Sequence, residues 1–142
     1  MKVSARNAFK GKISSIVPGA VNAEVSVQTE GGDTLVAIVT SSSIKALGLS
    51  AGKPVVALVK APWVMLASGD SGLQFSARNQ LKGTVTTLIE GGVNSEVGLT
   101  LPGGTQVFAV VTNDAVSELG LAKGQAATAV IKASHIILAI EG

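Results

Sequence analysis

The chain has 142 residues, 46% hydrophobic and 14% charged, with 17 glycines, one histidine and no cysteine. Such a chain can bury a core, but it has no disulfide framework, thiolate metal site or thiol nucleophile. The formal net charge is only +2, and the cations are scattered, so the charge balance gives no footing for a polyanion such as nucleic acid.

The opening stretch "MKVSARNAFKGKISS" is positively charged but lacks the apolar core of a secretory signal. No run approaches the roughly 18 uninterrupted apolar residues of a membrane span, so a soluble cytoplasmic protein is expected. "VNAEVSVQT" alternates strictly, with Val21, Ala23, Val25 and Val27 on one face and Asn22, Glu24, Ser26 and Gln28 on the other. That pattern predicts a half-buried strand. "EGGD" supplies a turn into "TLVAIVT", a more completely buried strand. "SSSIKALGL" predicts one short helix, opened by serine caps and closed by Gly48. A Gly-Lys turn then leads into the last strand, which contains "LVKAPWVMLA" and carries Lys60. A lysine in so apolar a stretch raises a question, because a buried ammonium is costly unless something negative meets it.

The whole order then returns. Laying Ser4 on Ser76 aligns the halves without a gap, and roughly 25 of about 67 positions are identical, which marks an internal repeat of about 72 residues. "SARN" matches "SARN", "GAVNAEV" matches "GGVNSEV", and "LVKAPWVMLA" matches "VIKASHIILA" with its lysine, Lys132, in register. The second helix reads "NDAVSELGL", and "ASGDSGLQF" is small and polar enough to be a linker. Two domains, 1–70 and 71–142, are therefore expected. Their fold class is all-β: tandem small barrels of the OB type, each with one short helix.

The halves also show which residues the repeat keeps. Among charged residues these are Arg6/Arg78, Lys10/Lys82, Glu24/Glu96 and Lys60/Lys132. Leu47/Leu119 and Leu49/Leu121 read as core, and the retained glycines read as turns and left-handed backbone. Arginine presents a planar fork of donors that suits a multi-oxygen anion, and a serine stands two residues before it in both copies. The alternative for Arg6 and Arg78 is a surface salt bridge to Glu24 or Glu96. Thr40 and Thr112 either cap the short helix or add a donor to an anion seated at its start. Lys60 and Lys132 either snorkel to the rim or reach the same anion. One tetrahedral oxyanion accounts for all three segments together, so a binding site is expected. Catalysis is not: His135, the single histidine, aligns with Trp63, and no carboxylate pair or metal-ligand set is kept. A nucleic-acid-binding OB fold is the rival reading, and 3% aromatic content with no tyrosine opposes it.

The residues "SARNAFKGKISSIVPGAVNAEV…AIVTSSSIKALGLSAGKPVVALVKAPWVML" resemble a Mop domain, over almost the whole chain and twice. This is the molybdate-binding module of small bacterial molbindins, also found in molybdate-responsive repressors and in some molybdate-transporter ATPases. The resemblance implies OB-like domains, assembly as homotrimers, molybdate or tungstate as ligand at subunit interfaces, and a role in storage and homeostasis. No cofactor, metal–protein bond, nucleic acid or membrane is implied. Matching the motif position by position, the implied molybdate-binding residues of the first copy are Ser4, Arg6, Thr40, Ser43, Lys60 and Ala61. Those of the second are Ser76, Arg78, Thr112, Lys132, Ala133 and Ser134. Asn22 and Asn94 are assigned to a second kind of site near the three-fold axis. Ala115 in place of Ser43, and Pro62 against Ser134, imply sites of unequal affinity. A cage made only of donors would penalise the proton that phosphate keeps at neutral pH. Sulfate has no such proton, so its rejection depends on cavity size.

Overall fold

The structure, a computed structural model, describes residues 3–141. The first half runs β1 (Asn7–Pro18), β2 (Asn22–Thr29), β3 (Thr34–Thr40), α1 (Ser41–Leu47), β4 (Pro54–Val59), a 3₁₀ turn (Ala61–Trp63) and β5 (Met65–Ser68). The second half repeats it as β6 (Asn79–Glu90), β7 (Asn94–Thr100), β8 (Gln106–Thr112), α2 (Asn113–Leu119), β9 (Ala126–Ile131), a 3₁₀ turn (Ala133–His135) and β10 (Ile137–Ala139). The architecture is all-β and OB-like with one short helix per half, as the sequence predicts.

Alternation decides which face of β2 is inside. Ala23, Val25 and Val27 are buried, while Glu24 and Ser26 are only partly covered. Val21 departs from the expected pattern: the strand starts at Asn22, and Val21 stands exposed on the preceding turn. In β1, the segment Asn7–Lys12 pairs with β4 and Gly11–Pro18 pairs with β2, with a register shift between Ile13 and Ser15. A bulge of this kind bends a long strand so that it serves both neighbours. β6 carries the equivalent shift between Val85 and Thr87.

The sheets are ordered β10-β4-β1-β2-β3 and β5-β9-β6-β7-β8. Each half therefore places its final strand in the other half's sheet. Met65–Ser68 pairs antiparallel with Ala127–Val130, and Ile137–Ala139 pairs with Val56–Leu58. The expected single last strand is thus two elements. The strand ends at Val59, the turn Ala61–Trp63 with Pro62 at its start intervenes, and a short strand follows. Lys60 and Lys132 sit just past the ends of β4 and β9 and are exposed, so neither is a buried ammonium.

The halves are also joined by the asparagines of the two SARN motifs, both 1% exposed. The Asn7 side chain donates to the Phe108 carbonyl and accepts from its N–H, both at 2.7 Å. Asn79 does the same with Val36, at 2.8 and 2.7 Å, and also donates to the Ile131 carbonyl at 3.3 Å. Each amide completes a backbone pairing that would otherwise leave buried groups unsatisfied. Gly31 and Gly103 meet where the β2–β3 and β7–β8 turns touch, and a Cβ on either would collide with the other's carbonyl oxygen. Their retention reflects close approach rather than left-handed backbone. Gly48 and Gly120 do adopt it, both at φ 62°, and close the helices by donating to the last turn.

Candidate functional site

The segment leading into β1 brings Ser4 and Arg6 beside the turn that follows β4. Together they form a cleft of about 240 Å³ lined by Ser4, Arg6, Lys60, Ala61, Pro62, Glu96 and Val110. Four of the residues implied by the Mop resemblance thus meet. Ala61 is buried at the base of the turn, while Lys60 and Ser4 face solvent. Among the described residues neither Lys60 nor Lys132 has an ion-pair partner.

Arg6 is held from two sides. Its Nε donates to Glu96 Oε1 at 2.6 Å, and its guanidinium carbon lies 3.6 Å from the centre of the Phe108 ring, within cation–π range. Arg78 donates to Glu24 Oε2 through Nη1 rather than Nε. The salt bridges considered from sequence are present, but crosswise, each arginine meeting the glutamate of the other half. The cleft is therefore not a cage of donors alone. Glu96 supplies an acceptor, and the sequence argument against phosphate does not hold while it stays there.

Thr40 and Ser43 do not join this cleft. They line a second pocket of similar volume, about 240 Å³, with Ser134 of the other half. Thr40 acts as the cap of α1: its Oγ1 accepts from the Ser43 N–H at 3.2 Å and lies 2.8 Å from the Ser43 hydroxyl. Thr112 caps α2 by accepting from the Ala115 N–H at 3.1 Å. The hydroxyl set of one half thus faces the lysine turn of the other. In the second copy Ser76 and Arg78 are exposed, Lys132 opens the turn that contains Ala133 and Ser134, and Ala133 is buried. Asn22 and Asn94 are exposed and lie opposite Thr40 and Thr112 in the β2–β3 and β7–β8 pairings.

Trp63 and His135, at equivalent positions of the repeat, pack against each other with centroids 5.0 Å apart and ring planes tilted by 40°. No group of three or more His, Cys, Asp or Glu among the described residues could hold a metal ion. No helix among them is long and apolar enough to cross a membrane. Sequence reasoning missed the contribution of Phe108 and the asparagine lashings. Retention of Asn7/Asn79 was the available signal for the lashings. Phe108 gave none, since its twin is Val36.

Two OB-like five-stranded sheets that exchange their last strands, with an arginine–lysine cleft at the motif positions, define a tandem OB-like class, and residues 3–66 and 76–138 each match the TOBE domain. The chain belongs to the TOBE-domain family, with two domains in tandem. It is similar to a crystal structure of the cytoplasmic molybdate-binding protein ModG with molybdate bound. The two are 56% identical with a TM-score of 0.94, covering 99% of this chain and 100% of that one. It is 45% identical over 141 residues to the molybdenum transport protein ModE of Herbaspirillum seropedicae, covering 99% of this chain and 52% of the relative. It is 42% identical over 140 residues to the molybdenum-pterin-binding protein MopA of Rhodobacter capsulatus, covering 99% of this chain and 53% of the relative. The chain thus spans about half the length of these curated relatives.

Proposed function

We propose that the protein binds molybdate, and tungstate as its near-equal in size and charge, for intracellular storage and homeostasis. The observation that carries this reading is the meeting of Ser4, Arg6, Lys60 and Ala61 in one cleft, in a chain similar along its whole length to molybdate-binding ModG. Arginine offers paired N–H donors to two oxygens of a tetrahedral dianion, lysine adds a mobile point charge, and serine donates a hydroxyl. The remaining donors, Thr40 and Ser43 in one half and Thr112 in the other, lie outside this cleft. Thr40 and Ser43 instead line a pocket with Ser134 of the other half, and a homotrimer whose sites are shared between subunits would bring further donors to both. The binding unit is a pair of domains, 1–70 and 71–142, that exchange their last strands. Binding without turnover suits a site whose only acid is tied to an arginine.

Native mass spectrometry with elemental analysis, on protein purified from molybdate-containing medium, tests ligand and assembly together. A trimer carrying molybdenum is expected, and Arg6→Ala with Arg78→Ala should remove the metal while the trimer persists. Protein free of molybdenum, with tight salt-sensitive binding to an oligonucleotide, would instead support the OB-fold nucleic-acid reading.

A further inference from the structure

The cleft contains a group that an anion-binding site would be expected to exclude. Glu96 lines it beside Arg6 and Lys60, and Glu24 pairs with Arg78 through Nη1. A carboxylate and a tetrahedral oxyanion compete for the same guanidinium N–H groups, and the two anions repel each other at contact distance. We propose that Glu96 and Glu24 are resident counter-anions that each hold one N–H group of an arginine until an oxyanion displaces them, and so set the affinity of the two sites. This rests on the oxyanion reading above and adds the residue that opposes it.

Three features support the exchange. The glutamate side chains are 27% and 30% exposed and the arginines 53%, so each carboxylate has an open path to water. Exposed ion pairs contribute little to stability, so structure alone is a weak reason for both copies to keep the same pair. Finally, the cations are divided: the arginines are neutralised while Lys60 and Lys132 have no acidic partner among the described residues. An oxyanion can meet the lysine first and then take the arginine. Because each pair joins one half to the other, filling a site also removes an ionic contact between the halves.

Equilibrium dialysis with molybdate at fixed ionic strength tests this on the full chain. Glu24→Gln with Glu96→Gln should bind about tenfold more tightly than the parent, since the substitution removes both the competitor and the repulsion. Glu90→Gln, an exposed glutamate at the end of β6, controls for net charge and should stay within about twofold. Loss of binding in Arg6→Ala with Arg78→Ala, together with unchanged or weaker binding in the glutamine variant, would overturn the counter-anion role and leave the oxyanion site standing. Undiminished binding in the arginine variant would overturn both. A tungstate-soaked crystal gives a second readout. The Glu96 carboxylate should have left Arg6 where tungstate density lies, and an intact Arg6–Glu96 bond beside bound tungstate would refute the exchange.

Discussion

Arg6 and Arg78 share the same four-residue motif but not the same surroundings. Arg6 lies against the face of Phe108. The equivalent position in the first half is Val36, as the matching asparagine bonds to Phe108 and Val36 demonstrate. Ser43 in α1 corresponds to Ala115 in α2, and Pro62 corresponds to Ser134. Meanwhile the framework is duplicated closely: the threonine caps, the left-handed glycines, the strand bulges and the crossed ion pairs all recur. Features required by backbone geometry have been held in both copies, whereas Phe108 against Val36, Ala115 against Ser43 and Ser134 against Pro62 have diverged. Under the proposed oxyanion reading, the two halves carry graded versions of a single site.

The largest expected effect lies in the framework. Asn79→Ala would strand the Val36 N–H and carbonyl and weaken the Ile131 contact, a loss on the order of 3 kcal/mol, measured by urea unfolding. Asn7→Ala, with two bonds rather than three, should cost somewhat less, and equal losses would remove this distinction between the halves. Next come the arginines taken singly. Arg6→Ala and Arg78→Ala should each silence one class of site, weakening it by about 10- to 100-fold and reducing the molybdate stoichiometry in calorimetry. A hydroxyl restored by Ala115→Ser should strengthen the second-half site by about fivefold and narrow the gap between the two. Smallest is Phe108→Val, which takes the ring from under Arg6. It should change first-half affinity by about two- to fivefold, and no change in the calorimetric profile would show that the ring packs without orienting the arginine.

Much of this was legible in the sequence because alternation and capping are local. Ala23, Val25 and Val27 had to face one way, and Gly48 had to end a helix, whatever the partners. The strand exchange was not legible, since "VMLA" and "IILA" have similar pattern and size and either sheet offers an equivalent edge. Pattern fixes the face of a strand but not its neighbour. Lys60 and Lys132 looked buried because apolar residues surround them in sequence. The turns that follow, Ala61–Trp63 and Ala133–His135, end the strands and place the ammonium groups in solvent. The partners of Glu24 and Glu96 were identified by type, yet a linear comparison of the halves cannot distinguish a pair within a repeat from one across it.

The exchange of β5 and β10 has a consequence for how such a molecule is divided or shortened. Severed at the linker, each fragment would expose a bare strand margin seeking a replacement, which invites promiscuous pairing with any other fragment. Tethering the two halves makes the correct mate always the nearest one, at a local concentration that free fragments rarely reach. The duplicated chain is in this sense a permanently closed pair, and its fidelity of assembly is written into its connectivity.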